Sequence, residues 1–552
     1  MPLILILQHP RGAGCIHKTR QYMPTSTDDD NPLRITSRGH RIWRRIGIGL
    51  LIAFCALTLI VEIVLHRAEP ILKGRVIETL GARFDSKVEL DTLDVSILKG
   101  LQVSGEGLRI YPPDDVVAAG ATHPLIAVQH FDFHAGIMGL FIKPMHVESV
   151  HVVGLDIHIP PKQYRQAAPK VKKKKLKIKI VVDAIVCEDS RLVIGTAKPG
   201  KDPKVFVLKS IVMHRVGADK PWPYDATLTN AIPPGAIHAV GAFGPWNVES
   251  PGDSAIAGKY TFDNANLGAI KGIEGTLNST GEFNGQLDHI NVEGDTQTPD
   301  FALDTGNHPM PLKTHFRAVV DGTSGDTYLQ PVEATLGSSH FTCSGAVVNI
   351  KGKGHLIQLD IDIPAGQIAD FLNLAVKTKP PIMTGLLQMK AKLNIPPGKQ
   401  SVTQKIGIKG GFHLTQVHFS NPQVEDKVDM LSLRARGKPD EAHAGAPDVH
   451  SRILGDFILQ SGDLHFSRLS YTLPGASVNL AGEYTLDGKK FDFAGKVRTN
   501  AKLSQMVSTW WKSLLLKPVD PFFSKHGGGA EIPVKITGTQ SAPKFGLDIG
   551  GK

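Results

Sequence analysis

The side chains best suited to chemistry in this 552-residue chain do not gather into one motif. His130 and His134 stand four residues apart, which puts both on one face of a strand. They are the best-placed imidazole pair for general-base work, yet isolated strand histidines of this kind belong to the solvated surface. His151 and Asp156 fall on opposite strand faces and make no acid–base pair. Asp360 and Asp362 share a face, but it is the solvated side of an alternating strand. The cysteines are Cys15, Cys55, Cys187 and Cys343, with no metal-site spacing. Cys187 and Cys343 could pair; two buried thiols are the favoured expectation. There is no nucleophile elbow, phosphate loop, zinc spacing or dinucleotide fingerprint. Asn278-Ser279-Thr280 matches a glycosylation sequon. The expectation is a protein that is not an enzyme and holds no metal or cofactor.

Charge narrows the partners. Lys and Arg number 62 against 52 Asp and Glu, a formal net charge of +10. Most of the excess lies in an arginine cluster before residue 46 and in a lysine run from Lys162 to Lys179. The lysine run could attract anionic lipid headgroups or simply protect a strand edge. Aromatic residues are not interleaved with it, which argues against nucleic acid.

The elements that carry these residues are mostly strands. Val153, Leu155, Ile157 and Ile159 alternate with Gly154, Asp156 and His158. Ile357, Leu359, Ile361 and Ile363 alternate with Gln358, Asp360 and Asp362. Val478, Leu480, Tyr484 and Leu486 lie among Asn479, Ala481, Glu483 and Thr485. Leu176, Ile178 and Ile180 alternate with lysines. Such alternation predicts a sheet with one apolar and one solvated face. Turns are expected at Asn264–Asn266, Gly352–Gly354 and Asp487-Gly488. Short helices are expected over 69–81, over 367–376 and over 502–516. In the last, Leu503, Met506, Val507, Trp510, Trp511, Leu514 and Leu515 form one stripe, suited to capping the sheet or touching a membrane.

Ile46 to Leu65 is an apolar run of about 20 residues, long enough to cross a bilayer as a helix. Arg34, Arg38, Arg41, Arg44 and Arg45 precede it and would hold the N-terminal flank in the cytoplasm. A cleaved signal peptide is the weaker alternative, because the run is long and no small-residue cleavage site follows. Met23 is an alternative start to Met1. The expected organisation is a basic head (1–45), a transmembrane helix (46–65), an N-terminal β region (66–160), a central β region (161–436) and a C-terminal β region (437–552).

In its details the chain resembles the AsmA-like family of bacterial envelope proteins. The anchor is followed by Ala82-Arg83-Phe84-Asp85-Ser86-Lys87-Val88-Glu89-Leu90-Asp91 and then by Val147-Glu148-Ser149-Val150-His151-Val152-Val153-Gly154-Leu155-Asp156-Ile157-His158-Ile159-Pro160. The middle carries Gly275-Thr276-Leu277, Gly285-Gln286-Leu287 and Pro299-Asp300-Phe301. The C-terminal part carries Gly482-Glu483-Tyr484-Thr485-Leu486, Phe491-Asp492-Phe493 and Ile532-Pro533-Val534-Lys535-Ile536-Thr537-Gly538-Thr539. The resemblance implies a mainly β fold: a long antiparallel sheet curled into a groove, with few short helices and one N-terminal transmembrane helix. It also implies a place in the bridge-like lipid-transfer superfamily.

In function, the resemblance implies an inner-membrane, single-pass protein with its bulk in the periplasm, carrying phospholipid between inner and outer membranes. Its partners would be membrane phospholipids and other envelope proteins. The lining candidates are Val153, Leu155, Ile157, Ile159, Ile357, Leu359, Ile361, Ile363, Val478, Leu480, Tyr484 and Leu486. The alternative is a scaffolding protein of envelope assembly, whose strands are filled by their own side chains.

Overall fold

The structure, a computed structural model, describes residues 51–60, 70–71, 73–81, 86–96, 101–112, 117, 123–135, 145–159, 180–195, 200–217, 220–245, 251–443, 449–485, 490–509, 517–518, 520–523, 529–539 and 542–547. The chain divides into two units, 1–61 and 62–552. Of the first, residues 51–60 are described, and they are helical. No helix among the described residues is long and apolar enough to cross a membrane. The rest of the 46–65 run and the five flanking arginines lie outside the described residues, as does Leu486.

The second unit is mainly β. Its strands are β1 (Val88–Glu89), β2 (Thr92–Ser96), β3 (Leu101–Ile110), β4 (Ile126–Ala135), β5 (Met145–Val153), β6 (Asp156–Ile159), β7 (Ile180–Ile194), β8 (Lys204–Val216) and β9 (Trp222–Ala231). There follow β10 (Pro234–Phe243), β11 (Ala255–Asn266), β12 (Ile273–Glu274), β13 (Thr276–Gln286), β14 (His289–Leu303), β15 (Met310–Val320), β16 (Thr327–Leu336), β17 (Ser339–Ile350) and β18 (Gly354–Gln367). The last are β19 (Met383–Ile395), β20 (Gly407–Phe419), β21 (Ser451–Gln460), β22 (Asp463–Leu473), β23 (Ala476–Thr485), β24 (Phe491–Thr499), β25 (Ala530–Thr539) and β26 (Ala542–Leu547). They hydrogen-bond edge to edge in a mixed sheet that is antiparallel except where β7 runs parallel to β5 and β6. A parallel pair needs a long connection, and 20 residues separate β6 from β7 in the sequence. This corrects the expectation of a wholly antiparallel sheet.

Two further expectations change. Asn264–Asn266 is not a turn: β11 continues through it with a bulge, Asn264 taking φ 54°. Over 502–516, the described part holds only a 3-10 turn, Leu503–Met506, after which Val507 is extended. The helix expected over 367–376 is present as α1 (Ile368–Ala375), with Ile368 and Phe371 turned onto the sheet. A second helix, α2 (Pro422–Ala435), has no counterpart among the expected elements. Asn421 caps it by accepting from the Gln423 N–H, and Pro422 occupies its first turn.

Bulges interrupt many ladders, for example between Phe262 and Ala265 and between Ile363 and Gly366. Each adds local twist and bends its strand. Some glycines mark where neighbouring strands close in. A Cβ on Gly241 or Gly495 would stand 2.0 or 1.9 Å from a carbonyl oxygen of the next strand. The sheet therefore bends toward the side on which those side chains would lie.

Candidate functional site: the apolar face of the sheet

Register decides which side chains share a face. Starting at Ile290, the cross-strand partners run Val320, Thr327, Val347, Ile357 and Ile395. From Leu414 they run Ile453, Tyr471, Val478, Val497 and Ile532. The apolar alternation of one strand thus joins that of the next over β14–β19 and again over β20–β25, interrupted on the same face by the hydrogen-bonded row Ser279, Thr296 and Thr314. The opposite face is mostly polar, with scattered exposed residues such as Val205, Val207, Val240 and Tyr328, and bears ion pairs such as Lys390–Asp362 at 2.7 Å and Lys392–Asp360 at 2.6 Å. Asp360 and Asp362 are thus solvent-side partners of lysines.

The sequence-predicted lining residues divide. Ile357, Leu359, Ile361 and Ile363 all lie on the apolar face of β18, the first three half-buried and Ile363 only 1% exposed. Val478, Leu480 and Tyr484 lie on the apolar face of β23, half-buried, opposite Val497, Gly495 and Phe491. Leu155, Ile157 and Ile159 belong to the apolar face as well. Val153 does not. Val150 and Val152 occupy that face in β5, and Val153 points the other way, paired with His130 and Glu188. Gly154, at φ 66°, shifts the alternation by one residue between β5 and β6.

Apart from Tyr484, sequence reasoning missed the aromatic members of this face. Phe283 pairs with Gly258, Tyr260 with Gly281, Phe316 with Gly294, Phe457 with Gly410 and Phe493 with Gly482. A ring on one strand fills the space that a glycine leaves on the next. The signal was present as glycine two residues from an aromatic, as in Gly281-Glu282-Phe283 and Phe493-Ala494-Gly495.

The strand ends form two rims. Ile194, Lys204, Asn266 and Leu303 lie on one; Gln286, His289, Val320, Ile350 and Ile395 lie on the other. On a flat sheet Ile194 and Leu287 would stand roughly 40 Å apart, given five strand spacings and the length of β13. Instead they pack together, with Ile159 buried beside them and Phe206 and Ile290 at the margin. All five are apolar-face residues, so the sheet rolls toward that face until opposite rims meet.

Polar bonds fasten this meeting. The Lys201 ammonium, in the turn between β7 and β8, donates to Asp326 at 2.9 Å and to the Asn349 carbonyl at 2.6 Å. Lys201 and Asp326 side chains are only 12% and 6% exposed. The Lys351 N–H donates to the Gly200 carbonyl, and the Gly352 N–H to the Asp202 carboxylate, each at 2.7 Å. A second crossing lies farther on. Ser401, in the loop between β19 and β20, donates to Asp304 at 3.0 Å, and the Val402 N–H donates to the Lys271 carbonyl at 2.9 Å. Ile395 and Ser401 are six residues apart, a reach of at most about 22 Å, yet they connect opposite rims.

The candidate histidines and carboxylates remain apart from this face, whereas Cys187 and Cys343 lie on it. His151 and His134 lie 3.1 and 3.7 Å from Asp132 on the polar side. Asp156 pairs with Arg191 and His158, not with His151. Among the described residues no group of three His, Cys, Asp or Glu could hold a metal ion. Cys187 is buried and Cys343 half-buried, both free. Burial pushes the Cys187 thiol up to about 11 and the Tyr224 and Tyr471 phenols up to about 12. Asn278 of the sequon accepts the Asn264 N–H within the β11–β13 pairing.

Comparison with protein-family models, with curated proteins and with solved structures found no match.

Proposed function

We propose that this protein carries phospholipid along the apolar face of its rolled sheet. The sheet then acts as a groove of the AsmA-like kind, held by a single-pass anchor in the bacterial inner membrane with its bulk in the periplasm, serving outer-membrane biogenesis. One observation supports this above the others. The apolar face runs from strand to strand over β14–β25 with few polar interruptions, yet many of its side chains, Leu359, Phe283, Phe412 and Leu480 among them, are only half-buried. A face filled by its own side chains would bury them fully. Acyl chains could complete the packing, at about 0.8 kcal/mol for each methylene sequestered. No tight site is needed, because transfer requires release. Conduction of this kind asks for no catalytic residue.

One observation favours a second reading locally. Around Ile159, Ile194 and Leu287 the face packs on itself, as it would throughout in a scaffolding protein of envelope assembly. Lipid mass spectrometry on the full chain, purified in mild detergent and again without it, separates the two. Several phospholipids per chain in both preparations is the expected result. Protein free of lipid in both would refute conduction and leave the scaffold.

A further inference from the structure

The two crossings between rims have a consequence for cargo. A phospholipid sliding with its chains on the apolar face keeps its headgroup toward the gap between the rims. At Lys201–Asp326 and again at Ser401–Asp304 that gap is bridged by protein. The headgroup must therefore pass beneath both bridges, and at the first the acyl chains must part the packed Ile194 and Leu287 side chains below it. Both bridges are firmly built. At the first, Asp326 accepts from both Lys201 and the Asn349 N–H, while Ser324 braces it through its hydroxyl to the Asp326 N–H and through its carbonyl to the Asn349 amide. Separating a buried ion pair leaves each charge without its partner in an apolar surrounding, which is strongly unfavourable. At the second, Val402 is itself buried, so the loop is anchored by packing as well as by two hydrogen bonds.

We propose that these bridges stay closed during transfer and act as a headgroup filter: phospholipids with small headgroups pass, and lipids with bulky headgroups are excluded. The discrimination comes from a built-in clash with the wrong cargo, not from affinity for the right one. The inference rests on the conduit reading above.

The test uses the full chain reconstituted into donor vesicles of phosphatidylethanolamine and phosphatidylglycerol, with acceptor vesicles of the same lipids. The probe is an acyl-labelled phosphatidylethanolamine carrying biotin on its headgroup, offered alone or capped with streptavidin. A lipid labelled only on its acyl chain reports plain transfer. Plain and biotinylated lipid should move at comparable rates, and the capped lipid about tenfold more slowly or less. A second variant, Asp304→Cys with Ser401→Cys, locks the later bridge as a disulfide, confirmed by peptide mapping. The locked protein should move plain lipid within about twofold of its rate after reduction. Equal transfer of capped and plain lipid overturns the filter. So does a lock that stops plain transfer until reductant is added, because the bridge must then open for passage. If the unlocked protein moves no plain lipid at all, the conduit reading itself fails, and that outcome is distinct from either of the others.

Discussion

Charging the apolar face at two positions four residues apart tests the half-buried character on which the functional reading depends. Leu359 and Ile363 lie on the same face of β18. Leu359 is half-buried, flanked by Gly345 and Leu393. Ile363 is 1% exposed and packs with Leu387, Leu414, Val417 and Ile453. In Leu359→Asp the lost burial is about half of the 1.5–3 kcal/mol of a fully buried leucine, and the carboxylate keeps contact with water. The expected cost is about 1–2 kcal/mol. Ile363→Asp loses the whole transfer energy and strands a charge among apolar side chains. With several kcal/mol of desolvation added, its cost should exceed about 5 kcal/mol. For lipid the order reverses in interest: a carboxylate at 359 that keeps even three methylenes off the face forfeits about 2.4 kcal/mol, a roughly sixty-fold fall in local occupancy. Urea unfolding followed by circular dichroism gives the stabilities, and lipid counting by mass spectrometry gives the load. Leu359→Asp should stay folded with a reduced load. Collapse of both variants alike would mean that this face is an ordinary filled core. A folded Leu359→Asp with an undiminished load would show that lipid does not lie there.

Other expectations concern the sheet itself. Gly495→Ala places a methyl 1.9 Å from the Asn479 carbonyl oxygen and should cost about 1–3 kcal/mol, whereas Gly546→Ala, with nothing within 4 Å, should stay within about 0.5 kcal/mol in the same urea experiment. Asn421→Ala removes the acceptor for the Gln423 N–H and should weaken α2 by about 1 kcal/mol, read as faster hydrogen exchange over residues 422–435. Alkaline pH should destabilise the fold. The folded state holds Cys187 neutral up to about 11 and Tyr224 and Tyr471 up to about 12, above their ordinary 9.0 and 10.0. The stability these groups lend is therefore complete below pH 9 and is lost between pH 9 and 12, on the order of 2–3 kcal/mol for each tyrosine. A urea midpoint that holds steady across that range would contradict their burial.

The alternation of Ile357 to Ile363 against Asp360 and Asp362 was legible because a period of two maps directly onto the two faces of a strand. The stripe of Ile368 and Phe371 was legible for the same kind of reason at helical period. Val153 was misplaced because one glycine in the left-handed region moves every later side chain by one face, and nothing local distinguishes Gly154 from a glycine in extended conformation. The helix Pro422–Ala435 was overlooked because its buried side includes Asp429 and Ser432, which mask an apolar stripe. Its Asn421-Pro422 start was the available signal. The parallel pairing of β5 with β7 hides behind the lysine run. The rim contacts could not be read at all: Lys201 and Asn349 are 148 residues apart, and Ser401 and Asp304 are 97 apart. No local pattern records a meeting that depends on how far the intervening strands bend.

From β7 onward, setting aside the two-residue β12, each strand pairs with the strand before it and the strand after it. No strand has to wait for a partner still to be synthesised beyond the next hairpin. The wall can therefore form as a zipper, following the chain in order as it becomes free, with short-turn loop-closure costs except after β18, β20 and β24, where 15, 31 and 30 residues intervene. The rim contacts are different, since they await segments about a hundred or more residues downstream. A chain interrupted before Asp326 would own fifteen strands and the apolar contact of Ile194 with Leu287, but none of the polar bonds that Lys201 makes across the rims. The width of the wall is set early by that apolar contact and fixed afterwards by a handful of late bonds.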